Sequence, residues 1–182
     1  MDINLTKFLF WFGFVVYLLL ALLYINYIRL DIIDGVYTSK FYYKFIITIG
    51  FLLLSINSIQ SAIKQEKTNI NMIYKYDLSN VPSYIGFTLL TLYFCLIFNK
   101  SNHIFYILAP IGYMFLASKQ HIGLYLVMLF YLISLGYHIL DFANTDYFVM
   151  MTKILLCVYY GIYIYANIIK NIKNKNTNIL LV

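Results

Sequence analysis

The sequence predicts an all-α protein, a polytopic transmembrane helix bundle of about six spans with both termini on the same side. Three observations carry this. The chain is 63% hydrophobic and 11% charged, with a mean hydropathy of +0.79, so it lacks the polar surface to clothe a soluble domain of 182 residues. Its apolar residues fall into runs of roughly helical-span length, and charges mark the ends of those runs. The runs show neither the period-2 alternation nor the regular turn spacing of barrel strands.

The first run follows Lys7 and covers 8–28. It is longer than a signal-peptide core and no A-x-A-like site follows it, so it reads as a retained span. The second covers 45–63 and contains "SINSIQSA". Thr48, Ser55 and Ala62 recur every seven residues, and Ser58 and Ala62 form a small-xxx-small pair, which suits close helix approach. Ser55, Asn57, Ser58, Gln60 and Ser61 form a candidate polar face. Packing is the first reading of it. A polar lining is the second, because Asn57 and Gln60 need partners in hydrocarbon.

A polar loop, 64–80, closes with Pro82 ahead of the third run, 83–98. The fourth run is 104–117, with Pro110 expected to kink or break it. Runs three and four are short, so a four-span protein with a re-entrant pair is the alternative. The fifth run is 122–140 and the sixth 147–169, followed by a basic, Asn-rich tail, 170–182. No repeat or linker divides the chain, which reads as one transmembrane domain, 1–182.

With six spans, Lys7, Lys64, Lys67, Lys75, Lys119, Lys170, Lys173 and Lys175 share one side, and Arg29, Lys40, Lys44, Lys100 and Lys153 the other. The excess places both termini in the cytoplasm or its equivalent. The net charge of +6 is spread over loops and tail, which excludes a nucleic-acid stripe. The expected partners are the lipid bilayer and other membrane subunits, and composition leaves bacterial plasma, organellar and endomembrane locations all open. Cys95 and Cys157 lie inside apolar runs without a Cys-x-x-Cys or Cys/His cluster and read as small hydrophobes. Tyr159, Tyr160, Tyr163 and Tyr165 read as helix-to-helix hydrogen-bonding groups ahead of an aromatic cage.

The stretch "SLGYHILDFANTDYFVMMTK", 134–153, concentrates the remaining chemistry. Ser134, His138, Asp141 and Asp146 are the catalytic candidates. Ser134 and His138 are four residues apart, and His138 and Asp141 three, so each pair shares a helix face. His103 starts the fourth run at the same boundary, making His103, His138, Asp141 and Asp146 candidate ligands for a divalent metal such as zinc. His121 belongs to the opposite side. Lys153, about 10 Å into the sixth helix, is expected to snorkel outward or to pair with Asp141 or Asp146.

Ser134-x-x-x-His138 followed by Asp146 in "DYF" resembles a paired-helix pattern of the membrane superfamily that includes alkaline ceramidases and progestin/adipoQ receptors. That resemblance implies a zinc-dependent site built from a serine, an aspartate and three histidines. His138 is the last histidine here, so no later His-x-x-x-His completes that set. Apolar spans with an acidic residue at a late helix end are also similar to lysoplasmalogenase-type hydrolases, whose Gly-Asp and Ser-Asp pairs are missing. No family is assigned on these patterns. The favoured function is a small transporter or channel, or a structural subunit of a larger membrane complex, respiratory if the gene is organellar. The alternative is a metal-dependent lipid hydrolase.

Overall fold

A computed structural model describes residues 3–68, 81–98, 104–118, 120, 122–140 and 147–179. These form six α-helices: α1 (Ile3–Ile33), α2 (Ser39–Thr68), α3 (Val81–Phe98), α4 (Leu108–Ala117), α5 (Ile122–Leu140) and α6 (Tyr147–Ile179). A 3-10 turn, Ile104–Ile107, leads into α4. Four helical segments are long and apolar enough to cross a membrane: Lys7–Ile33, Ser39–Ile63, Ile122–Leu140 and Val149–Ala166. Val81–Ile97 and Ile104–Ala117 are shorter and apolar, as the sequence indicated for its third and fourth runs.

Local chemistry sets the element ends. Helix α1 stops in a Schellman turn: Gly35 takes φ +66°, its N–H donates to the Ile32 carbonyl at 3.3 Å, and the Val36 N–H donates to the Asp31 carbonyl at 2.8 Å. Glycine tolerates that left-handed conformation and lets the chain reverse into α2. Across the turn Lys44 Nζ donates to Asp31 Oδ2 at 2.6 Å and lies 5.2 Å from the Tyr27 ring centroid. Pro82 and Pro110 both sit in the first turn of their helices, where no intrahelical N–H is required. A proline ring also collides with the carbonyl four residues earlier. The segment before Pro110 accordingly takes 3-10 geometry, which is the break expected in the fourth run.

Two differences from the sequence reading concern length. Helix α1 is continuous over 31 residues, and α6 continues through Ile179, so most of the segment expected as a tail is helical. Neither extension contains glycine or proline, the strongest helix breakers, whereas hydropathy marks only the apolar part of each helix.

Each helix packs on the next in sequence, and α6 also packs on α1, closing a ring. The ring encloses Tyr17, Leu20, Phe51, Leu54, Phe87, Leu90, Phe94, Tyr113, Phe130, Tyr131, Tyr159 and Tyr160. Inside such a core a tyrosine hydroxyl needs a partner. Tyr17 and Tyr160 share a hydrogen bond at 3.2 Å, and Tyr113 and Tyr131 share one at 2.8 Å. Tyr165, by contrast, is exposed. Glycines allow the closest helix approaches: a Cβ on Gly86 would lie 3.1 Å from the Gly50 carbonyl, and one on Gly112 would lie 3.1 Å from the Gly123 carbonyl.

On α2, Ser55, Asn57, Ser58, Ser61 and Ala62 are buried. Gln60 is exposed, because two residues of helix turn it about 200° away from Ser58. Among the described residues the Ser61 hydroxyl, buried, has no hydrogen-bond partner. Both cysteines are free. Cys95 is exposed on the outside of the bundle and Cys157 is half-buried, so only Cys157 approaches the packed position expected of both.

Candidate functional site

The site lies at the end of the bundle where α1 turns into α2. It begins with two residues one helical turn apart on α5, Ser134 and His138, which therefore project from one face. Lys153 reaches this face from α6. Its Nζ donates to Ser134 Oγ at 2.5 Å and stands 3.0 Å from His138 Nε2 and 3.3 Å from Nδ1. Lys153 is 8% exposed and Ser134 1%; His138 is half-buried. The lysine thus turns into the bundle, not outward, and among the described residues it has no carboxylate partner. A buried ammonium is held here by a hydroxyl and an imidazole. Because an ammonium only donates, the histidine nitrogen facing it is placed as the acceptor of this contact.

Two adjoining cavities extend from this cluster. The inner one, about 180 Å³, is lined by His138, Lys153, Tyr131, Phe94, Phe51 and Ile47 among others. The outer one, about 490 Å³ and half-open, reaches Tyr27, Lys40, Tyr43 and Lys44 at the α1–α2 end. Tyr24, Tyr93, Ile97, Tyr106, Val149 and Thr152 line both. Helices α1, α2, α3, α5 and α6 and the 3-10 turn supply the walls. The combined space is an apolar and tyrosine-rich pocket with a basic floor at Lys153 and a basic rim at Lys40 and Lys44. Asp31 neutralises Lys44, while Lys40 is exposed.

Of the residues singled out in the sequence, Ser134 and His138 come together, and Lys153 joins them. His103, His121, Asp141 and Asp146 lie outside the described residues. Among the described residues no group of three or more His, Cys, Asp and Glu is placed to hold a metal. The buried α2 residues Ser55, Asn57, Ser58 and Ser61 are not among the residues lining either cavity. Sequence reasoning missed the pocket walls, Tyr24, Tyr93 and Tyr106, and the rim lysine Lys40. The one signal available for the floor was a lone ionisable residue inside an apolar span, which marks a functional position by default. Compared with protein-family models, curated proteins and solved structures, the chain gives no match.

Proposed function

We propose that this multi-pass membrane protein carries six membrane-inserted helices with both termini on the cytoplasmic side, and that it binds or transports an amphipathic solute. The observation that carries this reading is the half-open cavity of about 490 Å³ continuing to a buried lysine. That volume falls within the range of small-molecule sites, and such sites combine apolar walls with a few placed polar groups. Helix α3, with 18 residues, is about 27 Å long at 1.5 Å per residue, against a hydrocarbon core of about 30 Å, whereas α4, with 10 residues, is about 15 Å long and is inserted without spanning the core by itself. Positive charge favours the end opposite the pocket as the cytoplasmic one, which directs the pocket mouth outward.

A neutral aryl probe bearing a diazirine tests the cavity without invoking charge. In nanodiscs holding the full chain, irradiation should give adducts on Tyr24, Tyr93 and Tyr106. Val149→Trp, which places an indole in the shared wall, should remove them. Adducts confined to outward-facing residues such as Leu19, Leu92 and Leu132, and equal in both proteins, would contradict a solute site.

A second reading follows from the 2.5 Å contact between Ser134 Oγ and Lys153 Nζ, since a serine beside an amine is the arrangement of an activated nucleophile. Burial opposes it. Ser134 is 1% exposed and lines neither of the two cavities, so among the described residues its Oγ is covered against a substrate carbonyl. A fluorophosphonate probe should therefore leave the protein unlabelled. Labelling that disappears in Ser134→Ala would establish the hydrolase instead.

A further inference from the structure

We infer that the solute is an organic acid, a single carboxylate or phosphate monoester on an aromatic or short apolar body, and that Lys153 receives its anionic head. This rests on the cavity being a solute site and adds the chemistry of the solute. An ammonium has three donors and no acceptor. Ser134 Oγ takes one at 2.5 Å and His138 Nε2 a second at 3.0 Å, which among the described residues leaves one for a group in the inner cavity that Lys153 lines. Among the described residues this buried lysine is held only by neutral groups, and removing its charge from water is costly unless an anion accompanies it. A bound oxyanion supplies the missing countercharge through a charge-assisted hydrogen bond. The path inward is basic as well: Lys40 stands exposed at the rim, while Lys44 is already occupied by Asp31. Between rim and floor, Tyr24, Tyr93 and Tyr106 offer ring faces and edges to a flat apolar body.

Binding to the full chain in nanodiscs distinguishes the parts of this inference. The probes are 2-naphthoate, 2-naphthyl phosphate, the neutral 2-naphthalenemethanol, a naphthylmethylammonium cation, acetate and inorganic phosphate. The parent should bind 2-naphthoate or 2-naphthyl phosphate about tenfold or more tightly than the neutral alcohol. It should reject the cation and hold acetate and phosphate far more weakly, because they lack the apolar body. Lys153→Met should reduce binding of the anion to that of the alcohol, and Lys153→Arg should recover part of it. Asp141→Asn combined with Asp146→Asn should leave anion binding in place.

If the alcohol binds as tightly as naphthoate and Lys153→Met changes neither, the cavity is a solute site but the head-group inference fails. Equal binding of inorganic phosphate and naphthyl phosphate makes the site one for free anions and overturns the organic body. If no naphthyl compound binds and Val149→Trp behaves as the parent, the underlying solute-site reading fails with it.

Discussion

Gly123→Ala is expected to destabilise the bundle sharply, by about 2 kcal/mol net, although alanine is the better helix former. The intrinsic gain is about 1 kcal/mol. Against it, a Cβ at this position runs into the Gly112 carbonyl and lies 2.9 Å from the Leu116 backbone nitrogen. Neither is the end of a flexible side chain, so α4 and α5 must separate, and overpacking of this kind costs about 3 kcal/mol. The Tyr113–Tyr131 hydrogen bond, which bridges the same two helices at 2.8 Å, would be strained by that separation. Gly136, later in α5, has nothing within 4 Å of the equivalent Cβ, and Gly136→Ala should be neutral or stabilising. Thermal unfolding of both variants in one detergent checks this. Equal melting temperatures would mean that α4 and α5 do not approach as described.

Lys153→Met should move stability and binding in opposite directions. Replacing a buried ammonium that has no carboxylate partner among the described residues by an apolar chain of similar volume removes a desolvation penalty, and a gain of about 1–3 kcal/mol is expected for the empty protein. Anion binding is lost at the same time. Ser134→Ala should do the reverse to stability, because it takes an acceptor from a buried charged donor, at about 2 kcal/mol. In the Lys153→Met background Ser134→Ala should cost much less, since the hydroxyl then has no ammonium to serve. That non-additivity is the signature of direct contact. A lysine acting only as a structural tie between α5 and α6 predicts the opposite for Lys153→Met, a loss of stability comparable to that of Ser134→Ala.

Much of the helix inventory could be read from hydropathy. The run 122–140 coincides with α5, the sixth run opens with α6 at Tyr147, and the two short runs are the two short helices. The shared face of Ser134 and His138 followed from their spacing. The direction of Lys153 did not. Helices this apolar are hydrophobic nearly all round, so periodicity does not say which face turns inward. Snorkelling, which governs lysines near the ends of lipid-facing helices, made an outward direction one of the two expectations, beside pairing with Asp141 or Asp146. Packing of α6 on both α5 and α1 turns Lys153 toward Ser134 instead. The cavity was equally illegible, since Tyr24, Tyr93, Tyr106 and Val149 come from four separate segments and meet only when the ring closes.

The placement of an anionic head at Lys153 is tested most directly by dipolar coupling in solid-state NMR. The sample is the full chain in lipid, with lysine side chains labelled at Nζ with nitrogen-15 and bound 2-naphthoate labelled at its carboxyl with carbon-13. A charge-assisted N–H···O contact puts the two nuclei about 4 Å apart or less. A coupling of that strength is predicted in the parent and should vanish in Lys153→Met. A coupling that survives Lys153→Met, or its absence from the parent while naphthoate is bound, would contradict the assignment.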